Sequence, residues 1–203
     1  MSLAAASVAR VKNSEVFLLA DSTLRTVIDS LTPAELALPA PAEWSRSVDP
    51  TLRDIVAAHV RDEAWVPDVL AGRTIEEVGD TWNGDLLGDD PIAAYDRAHD
   101  RATAAVVARF PADLIVHLSY GDFPVDEFFE HTLYYRTFQA WSIAHLVHRD
   151  IELPAELVDA VWELVMPQLD ALRAINVFPP EVEVDAGADK QTRLLGKTGF
   201  LFD

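Results

Sequence analysis

Six histidines, at positions 59, 99, 117, 131, 145 and 148, are the side chains of this sequence best suited to chemistry near neutral pH. Cysteine is absent, which removes thiolate nucleophiles, disulfides and Cys-ligated zinc or iron–sulfur sites together. Any metal here must be held by His, carboxylate and water. His59 falls in the apolar row Leu52, Ile55, Val56, His59, Val66 and Leu70, so its imidazole faces a core. An unpaired polar group in that position costs about 1–3 kcal/mol. His59 is therefore either a core histidine bonded to a neighbour, the commoner outcome, or a ligand. Glu127 and His131 stand four apart on one helical face, a spacing from which two ligands reach one ion. A polar first turn has the same appearance. His145 and His148 fall at the end of that helix, where cationic side chains complement the helix dipole.

These groups need elements to hold them, and the hydrophobic periodicity supplies five helices. The first runs from about 14 to 31 on Phe17, Ala20, Leu24, Val27, Ile28 and Leu31. A Pro- and Ala-rich loop follows, carrying Trp44, which is expected to pack back onto the helices. The second helix begins near Asp49 and Pro50, and the third runs from Pro91 to Phe110 with a small-residue face of Tyr95, Ala98, Ala102, Ala105, Val106 and Arg109. "LIVHLSYGDFP" reads as a loop or a brief extended stretch. The fourth helix, Val125 to Val147, is apolar around most of its circumference, which marks it as the central element. The fifth starts near Pro154 on the stripe Leu157, Val158, Val161, Val165, Leu169 and Leu172. The tail after 177 has no helical period; Phe178, Leu194, Leu195, Phe200 and Phe202 are expected to lay it across the helices. The sum is an all-α fold in a single domain over 1–203: a four-helix bundle plus one helix in a core of 13–177, with an irregular tail at 178–203.

Composition narrows the function classes. Asp and Glu number 34 against 16 Lys and Arg, a formal charge of −18, which disfavours nucleic acid and anionic membrane surfaces as partners. No basic, export-type leader and no membrane-length apolar run is evident, so a soluble cytoplasmic protein is expected. HExxH, P-loop, GxSxG and dinucleotide-binding fingerprints are missing. "GKTGF" near the C-terminus lacks the leading glycine of a phosphate loop and lies in an acidic tail.

Three blocks carry a resemblance. "AEWSRSVDPTLRDIVAAHVRDEAW" resembles the Trp-then-vRDLvaH signature of the DinB-like superfamily, in the branch related to the metal-binding domain of mycothiol-dependent maleylpyruvate isomerases. "FQAWSIAHLVHRDIELPAELVDAV" is similar to that branch's vHaWDLA block, and "VFPPEVEVDAGADKQTRLLGKTGF" to its closing block. The resemblance implies a DinB-like four-helix bundle with a divalent ion, zinc or nickel, that activates a thiol such as mycothiol. Carried across residue by residue, the second-helix ligand falls on His59. The Glu, His and Asp of the later helix fall on Tyr135, Gln139 and Ser142, which are weaker donors. Two arrangements follow from it: a displaced ion site of His59, Glu127 and His131, or a metal-free polar cluster in which Gln139 bonds His59. The second, with no cofactor, is the expectation. The function expected with it is a non-classical, small-molecule-binding member whose metal site is degenerate. Its pocket would be lined by Trp65, Tyr135, Phe138, Gln139 and Ser142, with Tyr134 and Trp141 nearby. The alternatives are a metal- and mycothiol-dependent transferase or isomerase, and a bundle that pairs with a second copy through an apolar helix face.

Overall fold

The computed structural model describes residues 2–45, 47–108, 110–111 and 113–201, with side chains from 13 onward. The chain is mostly α-helical. Helix α1 (Ser2–Asp29) turns through α2 (Pro33–Leu36) and a 3-10 turn at Ala42–Trp44 into α3 (Leu52–Leu70). Thr51 starts α3 by donating its N–H to Asp54 at 2.8 Å, a reciprocal cap that places the helix start just beyond Asp49–Pro50. Helix α4 (Ile75–Val78) and an acidic loop lead to α5 (Pro91–Val107), where Asp90 accepts from the Ala93 N–H at 3.1 Å.

A hairpin follows, β1 (Ile115–Leu118) antiparallel to β2 (Gly121–Pro124), so the extended stretch read from the sequence pairs with itself across Ser119–Tyr120. Helix α6 (Val125–Leu146) is next, then α7 (Ala155–Val165). The expected continuous fifth helix is broken: Pro167 removes an amide and tightens Met166–Gln168 into a 3-10 turn before α8 (Leu169–Ala174). The tail is also less irregular than expected. Asp189 caps α9 (Lys190–Thr198), Gly199 ends it at φ +78°, and Leu194 and Leu195 are buried. Two leucines in nine residues are too few to register as a period, which is why the sequence pattern misses this helix. Phe178 and Phe200 do lay the tail against α6, with the Phe200 and Phe138 rings stacked at 4.4 Å. Trp44 packs against the bundle as expected. Arg109 and Phe202 lie outside the described residues.

Helices α1, α3, α5 and α6 form the bundle, and the apolar interior has two halves. One is built on Phe17, Ala102, Val66 and Leu133, with α7 and α9 closing it. The other is built on Leu24, Leu52, Tyr95 and Ile143. At the waist between them every helix contributes a buried polar side chain: Asp21 from α1, His59 and Glu63 from α3, His99 from α5, and Arg136 and Gln139 from α6. Among the described residues no helix is long and apolar enough to cross a membrane.

Candidate functional site

Asp21 lies one turn beyond Phe17 on the buried stripe of α1, and Glu63 one turn beyond His59 on α3. Between them the Arg136 guanidinium enters from α6. Its Nε donates to Asp21 Oδ1 at 2.9 Å and to Glu63 Oε1 at 3.0 Å, and its plane covers the Phe17 ring at 4.6 Å. From α5, His99 Nε2 reaches within 3.3 Å of Asp21 Oδ2, while its Nδ1 faces Arg25 Nη1 at 3.1 Å. Arg25 can only donate, so the ring proton facing Asp21 sits on Nε2. Burial pushes the Glu63 carboxyl well above the usual range, with Asp21 adding to the rise and Arg136 opposing it. One guanidinium is thus shared by two buried carboxyl groups, and Glu63 is the one that burial drives toward its neutral form.

The second part of the waist is His59. It is fully buried, and among the described residues both ring nitrogens lack a hydrogen-bond partner, as do Gln139 Oε1 and Ser142 Oγ, also buried. Tyr135 covers one face of the imidazole, ring centroids 5.0 Å apart. Burial, and next the Arg136 charge, drive the His59 pKa from 6.5 down to about 3, with Gln139 pulling it slightly the other way. The expected bond between Gln139 and His59 does not close, although the amide stands near enough to act on the ring. The waist thus keeps spare hydrogen-bonding capacity beside an apolar core.

Among the described residues no three His, Asp or Glu side chains come together in a group able to hold an ion. His59, Glu127 and His131 are not assembled: His59 is in the core, Glu127 is exposed on the first turn of α6, and His131 is half-buried below the hairpin. What surrounds His59 is an amide, a hydroxyl and a phenol, a donor set that does not fit tight zinc or nickel binding.

His131 belongs instead to a surface feature. Two cavities, of about 490 and 500 Å³, meet along a wall made by Tyr120, His131 and Tyr135. The first lies between α3 and the hairpin, with Asp62, Trp65, His117 and Phe128 in its lining. The second lies between α6 and the tail, with Phe138, Gln139, Phe178 and Phe200. Ile75, Tyr120, Tyr135, Ile175 and Val177, all exposed apolar or aromatic side chains, line or rim the pair. Of the pocket residues expected from sequence, Trp65, Tyr135, Phe138 and Gln139 line these cavities, and Tyr134 lines the second. Ser142 is buried behind them and Trp141 lines neither; its indole N–H donates to Phe200 O at 3.0 Å. His117 is held by Asp122 at 2.7 Å across the hairpin. His145 stacks on Trp141, and His148 sits past the helix end at φ +55°.

Sequence reasoning missed Asp21, Glu63, His99 and Arg136 as a group, and Asp62. A signal existed for the first set: each is a charged or ionisable residue on a core-facing row, the same irregularity that singled out His59.

The fold and waist define a mostly helical bundle with a buried ionic centre and an aromatic double cavity beside it. Comparison of the chain with protein-family models, curated proteins and solved structures finds no match.

Proposed function

We propose that this protein binds a small, largely apolar organic molecule in the double cavity between α3, the hairpin, α6 and the tail. The observation that carries this is the shared wall: Tyr120, His131 and Tyr135 border both chambers, so one ligand can lie along them and contact both. Each chamber has the volume of a typical ligand site, an aromatic lining and a few polar groups at fixed places. Gln139 lines the second chamber, and its Oε1 is buried without a hydrogen-bond partner among the described residues.

We further propose that the chain is a DinB-like bundle whose metal helix has exchanged its strong donors. What supports this is convergence in space: Tyr135 and Gln139, the positions that correspond to the family's Glu and His, both lie beside His59. The exchange favours a binding role over metal- and mycothiol-dependent transfer. Elemental analysis of protein purified without chelators or a metal-affinity tag, paired with a thermal-shift screen of aromatic and aliphatic compounds, tests both points. Zinc and nickel well below one per chain, with stabilisation by apolar compounds that Phe138→Asp abolishes, is the expected result. Stoichiometric metal removed by His59→Ala would overturn the binding-only role.

A further inference from the structure

Among the described residues, Asp62 is the only carboxylate in the lining of the first chamber. It has no hydrogen-bond or ion-pair partner among the described residues. Arg61 and Arg136 also line this chamber, but their N–H groups are taken by protein acceptors: Arg61 donates to the backbone carbonyls Trp82 O at 3.1 Å and Gly84 O at 3.4 Å, and Arg136 is held by Asp21 and Glu63. Around Asp62 the chamber presents Trp65, Tyr120, Phe128 and Tyr135. Aromatic faces carry negative charge density and attract a desolvated cation. Burial, and next the Asp62 charge, raises the pKa values of the Tyr120 and Tyr135 hydroxyls, so both rings lie within reach of the carboxylate. Beyond the chamber, a formal charge of −18 raises the local concentration of cations and lowers that of anions.

We infer that the molecule bound in the double cavity is an organic cation. Its alkyl- or arylammonium head lies against Asp62, among the rings of Trp65, Tyr120 and Tyr135, and its apolar remainder passes the shared wall into the second chamber. This rests on the small-molecule reading above and adds the charge and the orientation of the ligand. A carboxylate ligand meets the opposite conditions. It would face Asp62 directly, and the guanidinium groups in reach already serve protein acceptors.

The test is isothermal titration of the full chain at about pH 8 and about 0.15 M salt, where non-specific attraction to the acidic surface is screened. The probes are benzyltrimethylammonium, benzyl alcohol and benzoate, matched in ring and different in charge. The ammonium is expected to bind one per chain, about tenfold or more tighter than the alcohol, with benzoate weakest. Asp62→Asn should remove about that tenfold from the ammonium and leave the alcohol unchanged. Asp62 is exposed at the rim, so the variant should fold, and the ranking of the three probes on the unaltered protein stands as a second, independent measurement. Alcohol or benzoate binding as tightly as the ammonium overturns the cation and leaves the cavity reading intact. An ammonium affinity indifferent to Asp62→Asn overturns the placement of the head. No binding by any of the three overturns both.

Discussion

Replacing His59 should change how the protein responds to acid. In the fold its imidazole is held neutral, with a pKa of about 3, because burial and the Arg136 charge both oppose protonation; the unfolded chain titrates at 6.5. Between these values the unfolded state binds the extra proton, so this residue's contribution is intact above about pH 6.5 and is lost as pH falls. At pH 5 the loss is about 2 kcal/mol, from one proton over one and a half pH units. Glu63 acts in the opposite sense. Burial raises its carboxyl group, so its contribution is present at low pH and is lost as pH rises through its folded value. It remains in the variant and cancels in a comparison. Urea denaturation of the unaltered protein and of His59→Gln at pH 8 and pH 5 isolates the imidazole. Whatever the substitution costs at pH 8, that cost should be about 2 kcal/mol smaller at pH 5. Equal costs at the two pH values, or an imidazole seen by NMR to titrate near 6.5 in the folded protein, would refute the argument.

Three further outcomes follow from the packing. Arg136→Met leaves Asp21 and Glu63 buried without their shared cation and should cost about 3–5 kcal/mol, read as a lowered denaturation midpoint. Replacing all three with Asp21→Leu, Glu63→Leu and Arg136→Met should recover most of it. Phe200→Ala removes the ring stacked on Phe138 and should cost about 2 kcal/mol, raise amide exchange in α9 and weaken any ligand of the second chamber. Gly199→Ala adds a Cβ that would meet Pro180 O at 2.5 Å, at a left-handed φ of +78°, so it should destabilise the tail by more than about 1 kcal/mol in thermal unfolding.

Much of the helical frame was legible because apolar residues at a period of 3.6 mark the buried face of each segment. Helices α3, α5 and α6 fall within a few residues of the spans read from that period, and the differences come at caps such as Thr51 and Asp90. His59 was legible for the same reason, as a polar group on an apolar row. The break at Pro167 was written in the sequence but outweighed by a stripe that continues across it, and α9 was too short to show a period. The site was legible only in part. Trp65, Tyr135, Phe138 and Gln139 were picked out as aromatic or polar residues on core helices, while Asp62 looked like any charge on a solvent-facing row.

The sequence by itself determined which residues turn inward on each helix, that no thiol chemistry is available, and that the long-range field is negative. Those properties are local or additive. Tertiary structure alone decided that Arg136 meets Asp21 and Glu63, partners 115 and 73 residues away, and that two short strands and a C-terminal tail wall off chambers around Tyr135. Helical periodicity specifies a face and leaves the partner of that face open. The partner is chosen when the four helices pack in one register, where a single guanidinium can neutralise the waist and the remaining polar groups, His59 and Gln139, stand beside an aromatic cavity.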